Sequence, residues 1–238
     1  MRGPGLAFAG IIFDLDGTLT EPDAIDFGRM RERIGMPEPG SILHWIEAHA
    51  ASEDEAQEMR AVVFEEEALA LDRMALGEGF DELARVLTEA QGALPTAICT
   101  RNSAEAIVAF DALLCRSGFP PCSALFPVAL ARDHYSERIG RTVQNKPSPE
   151  PTHEILHAWG MTDRFPVFAG HEDEAPRYPE LLFVGDGLDD LLAGRRAGIS
   201  AAWMAHGDVG AARETPSAAT HSFRDLADCA ATVTGTTC

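Results

Sequence analysis

The apolar positions of the chain follow two rhythms. Short unbroken runs rich in aromatic and β-branched residues read as buried strands, while apolar residues three and four apart read as helices packed on one face. The first run, Ala7 to Phe13, predicts a strand that delivers Asp14 at its end. Residues 21–76 then change character, with charged residues and Ala dominating. Two clusters there, Ile42, Leu43, Trp45 and Ile46, then Met59, Val62, Val63, Leu69 and Leu71, recur at helical spacing. They predict a small helical insert with almost no strand signal.

From Gly77 onward the two rhythms alternate. Phe80, Leu83, Val86 and Leu87 predict a helix ending near Gly92, and Leu94 to Cys99 a second strand. Residues 103–117 predict a helix with Ile107, Val108, Phe110, Leu113 and Leu114 inward, and Leu125 to Leu130 a third strand. Residues 131–145 are polar and without period, and Lys146-Pro147-Ser148-Pro149-Glu150-Pro151 feeds a helix reaching about Trp159. Residues 162–179 read as a loop, then Leu181 to Val184 as a buried strand and Asp189 to Ala197 as a helix stopped by Gly198. Ile199 to Met204 gives a fifth strand and Phe223 to Val233 a last helix. Strands alternating with helices predict an α/β fold, a parallel sheet covered on both faces.

At 238 residues the chain is long enough for one large domain or a core with a smaller companion. Its formal net charge of −19 argues against a general nucleic-acid binder and against an anionic membrane surface as partner. An anionic substrate would need a metal or a few local bases working against that field. The five cysteines are odd in number and form no Cys-x-x-Cys pair, which suits reduced thiols in a cytosol. No stretch approaches the ~20 apolar residues of a membrane span, and the N-terminal apolar run is too short for a signal peptide. A cytoplasmic location is expected.

The chemistry gathers at strand ends. Asp14 and Asp16 are two apart in an extended segment, so their carboxylates share a side. Two like charges that close resist ionising together, and a divalent cation resolves the conflict. Thr100 and Asp186 close two further strands at the edge where open parallel sheets bind ligands. Each residue alone has a plainer reading: a turn carboxylate, a helix cap, or, for Lys146, a solvated loop lysine. Their common placement on one sheet edge favours function.

Four ordered motifs carry a resemblance. Asp14-Leu15-Asp16-Gly17-Thr18, Thr100-Arg101-Asn102, Lys146-Pro147 and Gly185-Asp186-Gly187-Leu188-Asp189-Asp190 resemble the haloacid dehalogenase-like hydrolase superfamily, and within it phosphatases similar to phosphoglycolate phosphatase. The resemblance spans roughly residues 7–20 and 77–235. It implies a Rossmann-like core of residues 1–20 and 77–238, with residues 21–76 in the place of an all-helical cap domain. It also implies Mg²⁺-dependent hydrolysis of a small phosphorylated metabolite, of phosphoglycolate or sugar phosphate type, by a monomer or homodimer.

On that reading Asp14 is the nucleophile that forms an aspartyl-phosphate. Asp14, the Asp16 carbonyl and Asp186 hold the metal, supported by Asp190. Asp189 either shares that role or caps its helix. Asp16 passes a proton to the leaving alkoxide and later takes one from water. Lys146 offsets charge, Thr100 donates to a phosphoryl oxygen, and Arg101 and Asn102 contact substrate. Arg29, Arg31, Arg33 and His44 in the insert either read the leaving group or form a solvated face.

Two alternatives stand beside this. A phosphomutase would share every core residue and differ in what the cap admits. His153-Glu154-x-x-His157 matches the zinc-metalloprotease pattern. Its histidines flank the arc of Ile155, Leu156 and Trp159, and are expected to face solvent.

Overall fold

The computed structural model describes residues 5–37, 42–166, 170, 171, 173–206 and 215–235, except for the side chains of residues 23 and 44. By their contacts the residues form two units, one of 1–21 with 76–238 and one of 22–75.

The larger unit contains strands β1 (Gly10–Phe13), β2 (Thr96–Cys99) and β3 (Val128–Leu130), the short pair β4 (Tyr135–Ser136) and β5 (Arg141–Thr142), and strands β6 (Tyr178–Gly185), β7 (Ile199–Met204) and β8 (His221–Phe223). The smaller unit holds helices α1 (Phe27–Ile34), α2 (Ile42–His49) and α3 (Glu53–Leu71). The larger unit adds α4 (Phe80–Glu89), α5 (Ala104–Arg116), α6 (Cys122–Leu125), α7 (Glu150–Ala158), α8 (Leu188–Arg196) and α9 (Leu226–Val233).

Six strands form a parallel sheet in the order β3-β2-β1-β6-β7-β8. The chain runs outward from β1 through β2 and β3, then crosses to β6 on the other side of β1. The reversal opens a crevice at the C-terminal ends of β1 and β6, where sheets of this kind take ligands. Alternation along the strands sends Ile12, Ala97, Cys99, Leu181 and Phe183 to one face, where they pack with Ile155 and Leu156 of α7 and Ala193 of α8. On the other face Phe13, Phe80, Phe110 and Phe126 interlock through ring contacts of 5.8 to 6.2 Å. Both sheet faces are thus dry, which explains strands written as unbroken apolar runs.

The insert leaves and re-enters the core at one point. Thr20 and Leu76 form an antiparallel bridge, and the Gly77 N–H donates to Leu19 O at 2.9 Å. Within the smaller unit Asp26 caps α1 by accepting from the Arg29 N–H at 2.8 Å, and Ser52 caps α3 by accepting from the Glu55 N–H at 3.2 Å. Met30, Ile34, Ile42, Ile46, Ala56 and Val63 form its core. Glu66 is buried among them and meets Arg29 at 3.1 Å and Arg33 at 2.9 Å.

Several expectations change. Val108 points outward, 70% exposed, because it lies two residues, about 200°, from the inward Phe110. Leu69 is likewise exposed. The third strand starts at Val128, since Cys122–Leu125 forms a helical turn. The stretch 131–145 holds the β4–β5 hairpin, whose two-residue strands are too short to show a period. The last segment splits into β8 and α9, because Asp225 caps the helix by accepting from the Asp228 N–H at 2.8 Å. Cys99, Cys115, Cys122 and Cys229 are free thiols, and Cys238 lies outside the described residues. Among the described residues no helix is long and apolar enough to cross a membrane.

Candidate active site

The sheet ladder runs on past the ends of the strands and fixes the first site residues. The Asp14 N–H donates to Val184 O at 2.9 Å, and the Thr100 N–H donates to Leu130 O at 2.9 Å. Beyond Asp14 the chain must turn at once, and Gly17 does so with φ +74°. A side chain there would be strained by that angle, and its Cβ would strike the Asp186 carboxylate. Asp186 itself follows directly on β6, and Lys146 arrives from the loop before α7.

The ends of β1 and β6, the loop before α7 and the first turn of α8 bring their charges together, with Asp14, Lys146 and Asp190 buried and Asp186 half-buried. The Lys146 ammonium donates to Asp14 Oδ1 at 2.5 Å and to Cys99 O at 2.7 Å, and it meets Asp190 Oδ1 at 2.6 Å. Its side chain is 2% exposed. Asp190 Oδ2 accepts the Gly187 N–H at 2.9 Å, so its carboxylate is held from both sides. Oxygens of Asp14, Asp186 and Asp190 all lie within 4.8 Å of one another.

Three carboxylates therefore face one ammonium, and the imbalance appears in the acidity of Asp14 and Asp186. Burial pushes the Asp14 carboxyl well above its usual pKa, and the Asp190, Asp186 and Asp16 charges push the same way against Lys146. Burial, then Asp190, raises Asp186 to about 7. For Lys146 burial opposes the charged form, but Asp14 and Asp190 outweigh it and hold the ammonium above its ordinary value. A buried surplus of oxygen donors with negative charge fits a hard divalent cation.

Asp16 sits apart from that trio. Its carboxylate accepts from the Thr100 hydroxyl at 3.2 Å and from Asn102 Nδ2 at 3.1 and 3.2 Å. Thr100 also accepts from the Asn102 N–H at 2.9 Å, so Thr100 and Asn102 form one holder for Asp16. Thr100, expected on a phosphoryl oxygen, and Asn102, expected on substrate, are both directed at Asp16 here. Arg101 pairs with Asp189, which places Asp189 outside the carboxylate trio. Arg29 and Arg33 of the insert are turned to Glu66, and the His44 side chain lies outside the described residues.

Sequence reasoning missed His206. It stands just beyond β7 with φ +50°, and its Nε2 bonds to the Gly17 carbonyl, bracing the tight turn. No motif marks it, because the contact joins positions far apart in the chain.

The metalloprotease pattern does not survive as a site. His153 is buried rather than solvent-facing, while His157 on the same helix is exposed. Glu154 is engaged by Arg138 and by the Ser136 hydroxyl at 2.8 Å. Among the described residues the metal-competent cluster is Asp14, Asp186 and Asp190.

A model of the haloacid dehalogenase-like hydrolases matches residues 8–198, and the chain belongs to that family. An uncharacterized hydrolase of Saccharomyces cerevisiae, YOR131C, is 30% identical over 190 residues, 79% of this chain and 73% of that protein. A predicted phosphoglycolate phosphatase from Haemophilus somnus superposes with a TM-score of 0.60 at 19% identity, covering 94% of this chain and 96% of the other. CbbY from Rhodobacter sphaeroides, in complex with phosphate, superposes with a TM-score of 0.53 at 18% identity, covering 92% and 95%. At such identity these two structures establish the fold alone.

Proposed function

We propose that the chain is a phosphatase that hydrolyses a small phosphomonoester through an aspartyl-phosphate on Asp14, with Mg²⁺. The observation that carries the reading is the buried Asp14 carboxylate, bonded to Lys146 beside Asp186 and Asp190, with Asp16 held separately by Thr100 and Asn102. Phosphoryl transfer needs little beyond positioning and charge neutralisation, and this arrangement is suited to both.

Asp14 attacks phosphorus through a carboxylate oxygen, and Lys146 steadies that oxygen while offering its charge to the phosphoryl group. Asp16 protonates the departing alkoxide, then takes a proton from the water that hydrolyses the acyl phosphate. Thr100 and Asn102 orient Asp16 for both transfers. Asp14, the Asp16 carbonyl and Asp186 would hold Mg²⁺, with Asp190 in support. Mg²⁺ when bound neutralises charge on the carboxylates and on the phosphoryl oxygens. We assign residues 22–75 as the cap of this enzyme.

The test is phosphate release from an aryl phosphate, with Mg²⁺ or EDTA, for wild type and Asp14→Asn. Release that requires Mg²⁺ and falls at least ~10³-fold in Asp14→Asn is expected. Release unchanged in Asp14→Asn would remove Asp14 as the nucleophile.

A further inference from the structure

Arg101 and Asp189 take no part in the reaction just described, yet their ion pair stands across the entrance to it. Arg101 follows β2 between Thr100 and Asn102, the two residues that bond Asp16. Asp189 lies in the first turn of α8, beside Asp190 of the carboxylate trio. In the sheet β2 and β6 flank β1, one on each side. A bond from the end of β2 to the helix that follows β6 therefore spans the C-terminal end of β1, where Asp14 and Asp16 stand.

The two sides of the pair are lightly held. The Arg101 side chain is 40% exposed and that of Asp189 25%, so water competes for both, and an ion pair in that setting is weak. Among the described residues the guanidinium bonds Asp189 alone, through Nη1, which leaves Nε and Nη2 without a protein acceptor. Asp189 does not depend on the arginine, because the first turn of a helix favours a carboxylate by itself. Lys146 is the opposite case. It is buried and held by Asp14, Asp190 and the Cys99 carbonyl, so it cannot turn to an arriving anion without leaving buried carboxylates unpaired.

A phosphoryl group entering here meets Asp14, Asp16, Asp186, Asp189 and Asp190, and needs each cation within reach. A guanidinium with unused donors matches the oxygens of a phosphate through two parallel bonds, a better fit than its single bond to a carboxylate oxygen. We propose that Arg101 is a phosphate-binding group whose resting partner is Asp189, and that the phosphoryl group displaces the Asp189 carboxylate and takes the guanidinium over. Asp189 is then a built-in competitor that sets how tightly phosphate is held, and it receives Arg101 back when phosphate leaves. This inference rests on the phosphatase reading and deepens it.

The experiment measures binding of inorganic phosphate by calorimetry in the presence of Mg²⁺, for full-length wild type, Arg101→Gln, Asp189→Asn and the double variant. Mg²⁺ affinity without phosphate, and phosphate release from an aryl phosphate, are measured alongside. Arg101→Gln is expected to weaken phosphate binding about tenfold. Asp189→Asn is expected to tighten it about threefold, and that gain to vanish in the Arg101→Gln background. Mg²⁺ affinity should stay within about twofold in Asp189→Asn. Phosphate binding unchanged in Arg101→Gln overturns the exchange. So does an equal gain from Asp189→Asn in both backgrounds, since the carboxylate would then act through its field alone. Mg²⁺ binding that weakens tenfold in Asp189→Asn overturns it too, because Asp189 would belong to the metal site. Each of these leaves the phosphatase reading intact as long as release stays dependent on Asp14. If wild type neither binds inorganic phosphate nor releases it in an Asp14-dependent way, the phosphatase reading fails and the exchange falls with it.

Discussion

Glu66 and Asp14 are both almost wholly buried, 1% and 6% exposed, yet charge is balanced around the first and not around the second. Glu66 faces Arg29 and Arg33, the second shared with Glu65, so two arginines match two glutamates, and both arginines reach toward solvent. Asp14 shares Lys146 with Asp190 and stands close to Asp186, so negative charge is in excess where water is excluded. The first arrangement ties α1 to α3. The second leaves unmet charge in the fold, as the proposed cation and phosphoryl site would require and a structural ion pair would not. Burial alone does not distinguish them, whereas the residual charge does.

The comparison breaks most sharply at Lys146. Lys146→Met removes the one positive charge among three carboxylates, and breaking such a buried pair costs about 3–5 kcal/mol. Chemical denaturation in EDTA is expected to show that loss, and Mg²⁺ to recover part of it. Equal stability of the variant and wild type in EDTA would mean that the carboxylates are not charged together. Glu66→Gln should be milder, about 1–2 kcal/mol, because Arg29 and Arg33 keep access to water. Its thermal midpoint should fall while phosphate release stays within about twofold, the outcome for a group outside the chemistry.

The smallest effect is a pH trend without mutation. Asp14 and Asp186 have folded pKa values above their unfolded ones, so their contribution to metal-free stability is complete below about pH 4. For Asp186 it is lost as pH rises through about 7. In EDTA the carboxylate cluster should therefore favour the fold less at pH 8 than at pH 5. The rise in melting temperature on adding Mg²⁺ should be larger at pH 8. A Mg²⁺ effect independent of pH would contradict the surplus of charge.

Much of the site was legible because its information is local. Asp14 and Asp16 end an unbroken apolar run, and Asp186 ends another, so strand periodicity alone puts them on one edge. The alternation of strands and helices was equally plain, since an unbroken apolar run marks even the four-residue β1 and β2 and the three-four spacing marks the helices between strands. What stayed hidden depends on partners far away in the chain. That Thr100 and Asn102 hold Asp16, and that His206 braces Gly17, follows from strand order. The order β3-β2-β1-β6-β7-β8 is not written in any single segment. The hairpin escaped for a different reason: its strands are two residues long, and the ion pairs that stabilise it look like ordinary surface charge until Glu150 and Glu154 are seen opposite them. His153, expected to face solvent, is instead 7% exposed.

The bridge between Thr20 and Leu76 has a consequence for how such a chain can change over time. A segment whose two ends meet at neighbouring backbone positions imposes almost no requirement on the length of chain between them, because closing a longer loop costs only about 0.6 kcal/mol per doubling. The clustered carboxylates Asp14, Asp186 and Asp190 lie outside that segment, just beyond β1 and β6 and on α8. The insert is therefore an exchangeable module on a fixed engine, and the chemistry can be inherited whole while the part spliced between residues 20 and 76 is lengthened, shortened or replaced.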